Sequence, residues 1–244
     1  MGDETATDPR PPAPNRLPDH GPRYKETPAD PSAPDAPAVA EPWNTVTAAL
    51  FVLLAAAWVV RLRGRWRRYP FLAGCLPILL VGGVGGTLYH ARRTRPLYFY
   101  LDVVPIYALG LAGGAFLAVR LWRRKGYLYI AAGVAGLVGF GGLLQILLTP
   151  AFPGLLNLAV NASYAALALV LLAPLGVTLV RSRFRHAGLV LAALAAFAVA
   201  WFCRLVDGTL LSDLPMGTHW LWHLFGAITT GFVVEYFYRV EGEG

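Results

Sequence analysis

Cysteine is almost missing from this chain. Cys75 and Cys203 are the only two in 244 residues, and both sit inside apolar runs. A disulfide framework and a cysteine-based metal site are therefore excluded, and packing is the expected role of both thiols. Charge is scarce as well: charged residues are 14% of the chain, where a soluble domain carries about a quarter. They lie between long apolar runs rather than within them, which excludes an ordinary soluble enzyme. The chain opens without a basic start and an early apolar stretch, so no signal peptide is expected there. The last apolar stretch lacks a lysine, which argues against a retinal protein. A formal net charge of +7 would suit a nucleic-acid binder. The arginines, however, flank apolar segments in short loops, where they act as topology signals, so no nucleic-acid partner is expected.

What is abundant is apolar sequence, 56% of residues at a mean hydropathy of +0.51. Residues 1–40 stand apart. They hold ten prolines, many charges and few large apolar side chains, a composition that predicts a disordered tail. The domain expected over 41–240 contains seven apolar stretches: Trp43–Val60, Pro70–Tyr89, Leu97–Val119, Tyr127–Leu148, Leu155–Val180, Ala187–Val206 and His219–Tyr238. Each is close to the roughly 20 residues that a helix needs to cross a bilayer. Helix is the state that satisfies a lipid-exposed backbone, so the expected fold is an all-α bundle of seven transmembrane helices.

Three loops, between stretches 1–2, 3–4 and 5–6, carry twelve basic residues: Arg61, Arg63, Arg65, Arg67, Arg68, Arg120, Arg123, Arg124, Lys125, Arg181, Arg183 and Arg185. The opposite side carries Arg92, Arg93 and Arg95. The positive-inside rule then puts the C-terminus in the cytoplasm and the N-terminus outside. Compositional bias towards Ala, Arg, Gly and Pro suggests a bacterial inner membrane, with the outer end facing the periplasm.

Polar groups inside membrane helices are costly, so their positions carry information. Glu41, Asn44, His90, Asp102, Gln145, Asn157, Asn161, Ser163, Arg204, Asp207, His219 and His223 all fall towards the outer ends. The inner halves hold little beyond Glu235, which argues against a transport path through both leaflets. One polar pocket in the outer leaflet is expected. His219 and His223 are four apart, which stacks both rings on one helix face. His90 lies at a similar depth on another helix. Three neutral histidines leave one tetrahedral position open for water, the arrangement of a catalytic zinc site, and Asp102 is the acid placed to move a proton. Interfacial anchoring beside Trp220 and Trp222, or a haem, would also use a histidine pair. Asp207 and Arg204 are three apart and are expected to pair. Glu41 and Asn44 cap the first helix or brace the site. His20 and His186 lie outside the set.

Four segments at these residues resemble the alkaline ceramidases, a branch of a wider group of seven-helix membrane hydrolases. Ala40-Glu41-Pro42-Trp43-Asn44-Thr45-Val46-Thr47 is similar to the family's Glu-x-x-Asn-Thr start of helix 1. Gly85-Gly86-Thr87-Leu88-Tyr89-His90 resembles its Gly-Ser-x-x-Phe-His, and Leu101-Asp102-Val103-Val104-Pro105-Ile106-Tyr107 its Leu-Asp-Glu-x-Pro-x-x-Tyr. His219-Trp220-Leu221-Trp222-His223 resembles its His-x-Trp-Trp-His. The resemblance spans residues 40 to about 238. It implies His90, His219 and His223 as Zn²⁺ ligands and Asp102 as the acid/base, with the N-acyl amide of ceramide or a related lipid, drawn from the bilayer, as substrate. There are departures. Gly86 stands where the family has a serine, and the nearest hydroxyl, Thr87, is about 100° further round the helix. Val103 replaces the family's glutamate. The acidic segment that binds calcium in animal ceramidases is not matched apart from Glu41, so no calcium site is expected. The rival expectation is a non-catalytic receptor or lipid-binding protein with a structural zinc. Acyl chain, head group and oligomeric state are not legible in the sequence.

Overall fold

A computed structural model describes residues 17–19, 21–151, 156–208 and 213–243, and side chains outside 140–161. Eight helices follow in order: α1 (Pro42–Ala48), α2 (Leu50–Leu62), α3 (Pro70–Arg92), α4 (Pro96–Trp122), α5 (Arg124–Ala151), α6 (Leu156–Arg181), α7 (Ala187–Leu205) and α8 (His219–Gly242). No strand occurs among the described residues. Five segments are long and apolar enough to cross a membrane: Pro42–Leu62, Pro70–Arg92, Pro96–Trp122, Ala162–Arg181 and Ala187–Leu205. The chain is thus a multi-pass helical membrane protein.

Local sequence explains most helix ends. Pro42, Pro70 and Pro96 open α1, α3 and α4 at positions where the missing N–H costs nothing. Pro77, Pro105 and Pro174 lie inside helices, as membrane helices tolerate. The first apolar stretch forms two helices, not the single one expected. The break at Ala49 keeps right-handed dihedrals, φ −63° and ψ −15°, so α1 and α2 together serve as one span.

Helix α3 packs against α1, α2, α4 and α8, α4 against α5 and α6, and α7 against α8. Close approach of α3 to α4 depends on Gly85, where a Cβ would lie 2.5 Å from the carbonyl of Leu101. At the basic end, the Glu241 carboxylate accepts hydrogen bonds from the N–H groups of Phe71 (2.6 Å) and Leu72 (3.2 Å), so the end of α8 caps α3. Glu235 is ion-paired to Arg61 and Arg239 at 2.8 Å each.

The other end gathers the starts of α1, α4, α6 and α8 with the ends of α3 and α7. Low apolar content made residues 1–40 an expected disordered tail. Among the described residues from Leu17 on, buried polar contacts tie the chain to the bundle, and Leu17 and Ala40 are buried as well. Asp19 is fully buried against Arg93, with Nε to Oδ2 at 2.7 Å. Arg93 closes α3 in the left-handed region, φ 51°, a conformation that costs a non-glycine residue about 1–2 kcal/mol. That turn aims its guanidinium at the tail. It also donates to the Pro22 carbonyl at 2.7 Å and to the Thr27 hydroxyl at 3.2 Å.

Candidate metal centre

Three imidazoles converge at the tail end of the bundle. His90 ends α3, while His219 and His223 open α8, one turn apart. Ring centroids are separated by 5.4 Å (His90–His219), 4.6 Å (His90–His223) and 4.8 Å (His219–His223). All three residues are buried, and one ligand nitrogen from each lies within 4.8 Å of the others. Buried polar atoms are normally hydrogen-bonded. Here His90 Nε2, His219 Nδ1 and His223 Nε2 have no partner. Three converging, unsatisfied imidazole nitrogens fit a single metal ion, because coordination would remove all three deficits together.

The surroundings fix these rings. Glu41 is buried at the start of α1, and its Oε2 lies 2.5 Å from His90 Nδ1. A carboxylate there holds the proton on Nδ1 and leaves Nε2 as the ligand atom. The same carboxylate takes hydrogen bonds from Asn44 Nδ2 (3.0 Å), the Thr27 hydroxyl and Arg93 Nη1. Burial alone would raise the Glu41 carboxyl, but the contacts with His90, Arg93 and Thr27 outweigh it and hold it at about 2. Glu26 accepts hydrogen bonds from the backbone of Trp43 (2.7 Å) and Asn44 (3.0 Å) and so caps α1. Tyr24 stacks on His219 at 3.6 Å, with 14° between the planes. Burial raises the Tyr24 phenol above its ordinary range, so the hydroxyl stays protonated.

Asp207 does not pair with Arg204. Its Oδ1 accepts hydrogen bonds from the N–H groups of Thr218 (2.7 Å) and His219 (3.1 Å), and its Oδ2 from that of Lys25 (3.0 Å). It therefore caps α8 at its first histidine and pins the tail. Arg204 instead lies over the rings of Tyr164 (5.7 Å) and Trp222 (5.2 Å).

Asp102 sits one helix away from His90. A Cβ at Gly86 would lie 2.6 Å from Asp102 Oδ1, so this carboxylate fills the space that a residue-86 side chain would need. Thr87 has a different partner: its hydroxyl donates to the Gly83 carbonyl at 2.7 Å, within its own helix. The side chains of Gln145, Asn157 and Asn161 lie outside those described, and His20 lies outside the described residues altogether. Ser163 is hydrogen-bonded to the Tyr107 hydroxyl at 2.6 Å. His186 is at the opposite end, 2.8 Å from Glu243.

Asp102 and His223 stand at the polar end of a cavity of about 330 Å³. Its walls are otherwise almost wholly apolar, running past Leu109, Leu171 and Ala193 to Phe237. Fourteen residues of α8 separate His223 from Phe237, about 21 Å at 1.5 Å per residue. A single leaflet of hydrocarbon is about 15 Å deep, so the cavity can hold a chain as long as a leaflet lipid's.

Reading the sequence missed Asp19, Tyr24, Glu26 and Arg93. The available signal was Arg93 itself, three residues after His90 and following a tail with acidic residues. In comparisons with known proteins, the chain matches no family model and no curated protein.

Proposed function

We propose that this protein is a zinc-dependent membrane amidohydrolase that cleaves the N-acyl amide of a bilayer lipid such as ceramide. The observation that carries this reading is the set of three unsatisfied imidazole nitrogens beside Asp102, at the mouth of an apolar cavity long enough for an acyl chain. The proposed topology has seven spans. α1 and α2 count as one, and α5 and α8, 28 and 24 residues long, exceed the roughly 20 needed to cross. The twelve basic loop residues support a cytoplasmic C-terminus, with the metal centre and the tail on the outer side, periplasmic in a bacterial inner membrane.

His90, His219 and His223 would hold the ion, and Glu41 fixes the His90 tautomer. Zinc held there would polarise an amide carbonyl and make water a nucleophile near neutral pH. The acyl chain lies in the cavity, which brings its carbonyl to the histidines. Asp102 accepts a proton from the attacking water and delivers it to the leaving nitrogen. Hydrolysis breaks the C–N bond, giving a hydroxyl to the acyl carbon and a hydrogen to the amine. Tyr24 and the tail cover His219 and limit solvent access. Lateral entry is supported by the packing: among the described residues α6 packs on α4 and α5, and α7 on α8, while both line the cavity.

Metal content is the first test. Purified protein should hold about one zinc per chain, lost in the His219→Ala, His223→Ala double variant. Asp102→Asn should keep zinc and lose turnover of an N-acyl sphingoid substrate. Wild-type protein without stoichiometric metal would overturn the reading. The second reading is a lipid-binding protein with a structural zinc. It is favoured by the missing hydroxyl at Gly86 and by Thr87 bonding to its own helix. Zinc together with lipid binding, but no turnover across a panel of lipid amides, would select it.

A further inference from the structure

Arg204 is a cation that the hydrolysis chemistry does not use. It lies on the last turn of α7, seven residues beyond Phe197, the nearest α7 residue that lines the cavity. At 1.5 Å per residue that is about 10 Å further towards the tail end. Its guanidinium lies over Tyr164 and Trp222, and both of those rings line the cavity wall beside His223 and Asp102. Tyr24, stacked on His219, and the Asp102 carboxylate are near enough to act on it electrostatically. No carboxylate is in ion-pair contact with Arg204 among the described residues. Arg93, by contrast, is saturated by Asp19 and Glu41, and Asp207 is occupied by backbone N–H groups.

A guanidinium without a paired carboxylate is costly where water is scarce, unless an anion completes it. Its place is also specific. The guanidinium lies over two rings of the cavity wall, about 10 Å nearer the tail end than Phe197, where the amine portion of an amide bound at the histidines would sit. Stacking on two aromatic faces holds the fork in position and leaves its edge for a planar or tetrahedral oxyanion.

We propose that Arg204 recognises an anionic head group, and that the lipids this site prefers are N-acyl amines carrying a carboxylate, sulfonate or phosphate on the amine side. This rests on the hydrolase reading for the word substrate, but the recognition itself does not require turnover. A neutral ceramide would give the guanidinium no ion-pair partner.

The test pairs two lipids with the same acyl chain, N-palmitoylglycine and N-palmitoylethanolamine. Binding to detergent-purified protein is followed by Trp fluorescence and by thermal shift, with and without zinc, and hydrolysis is measured in parallel. The anionic lipid should bind at least tenfold more tightly. In Arg204→Gln that ratio should fall to near one, and Arg204→Lys should restore part of it. A purely structural role for Arg204 would weaken both lipids alike and keep the ratio. That result, or a wild-type preference for the neutral lipid, overturns the proposal. Arg204-dependent binding of the anionic lipid without hydrolysis would leave the proposal standing and sink the hydrolase reading. Hydrolysis with no charge preference would do the reverse.

Discussion

Glycine at position 86 ties a departure in sequence to a shape in space. The family that this chain resembles places a hydroxyl there, but here the Asp102 carboxylate occupies the room. Gly86→Ala should therefore swing Asp102 away without touching the histidines. Turnover is expected to fall by about tenfold or more, since misplacement on the ångström scale can cost about 10²-fold, while zinc content stays the same. An unchanged kcat would remove Asp102 from the proton path. Glu41 makes a second prediction. Its carboxyl is held at about 2 against an ordinary 4.5. A carboxylate depressed in the folded state contributes stability above its unfolded pKa, and that contribution is lost as pH falls through the folded value. Metal-free protein should lose melting temperature from about pH 4.5 down towards 2, and Glu41→Gln should flatten that slope. The same variant should weaken zinc binding about 10–100-fold, because it alters the group that orients His90. At this scale the three histidines and Asp102 were legible in the sequence, because ionisable residues in apolar helices are rare and carry meaning. Arg93 was not, because an arginine just past a helix end is also a topology signal, and only the left-handed turn at that residue shows where it points.

Among elements, α8 does the most, since its start carries two of the three converging histidines and its end caps α3. Asp207→Ala would remove the acceptor for the Thr218 and His219 N–H groups and fray that start. A loss of about 1–2 kcal/mol is expected in denaturant unfolding, together with weaker zinc binding. Normal zinc affinity in a destabilised variant would show that the first turn of α8 is held by other contacts. The cavity gives a prediction of its own. Ala193 on α7 lines its wall, so Ala193→Phe should lower kcat/KM for long acyl chains far more than for short ones. Equal losses would place the acyl chain elsewhere. Helix positions were legible because span length and hydropathy are set by the bilayer. The break at Ala49 was not, since neither proline nor glycine marks it. The pairing expected of Asp207 with Arg204 failed because spacing on a helix permits an ion pair without requiring one, and exposed backbone N–H groups at α8 compete for the carboxylate.

For the whole molecule, the charge asymmetry of the loops is the signal on which the proposed orientation rests, while the scarcity of apolar residues in the tail concealed its contacts with the bundle. A segment poor in apolar side chains can still be ordered when buried ions take the place of a core, and Asp19, Glu41 and Arg93 do that here. Glu41 also belongs to the metal centre through His90, so the tail behaves as a tethered ligand whose affinity and that of zinc are thermodynamically linked. By reciprocity, whatever factor tail docking adds to zinc affinity, zinc must add to tail docking. Arg23 and Lys25 are exposed even in the docked tail, so chelation should speed trypsin cleavage there by loosening the backbone, and Asp19→Ala should both speed that cleavage and raise the zinc dissociation constant. Cleavage rates independent of zinc would show that the two events are separate. If they are coupled, the local supply of metal sets how often the mouth of the site is open and, on the proposed function, how often a lipid can enter it.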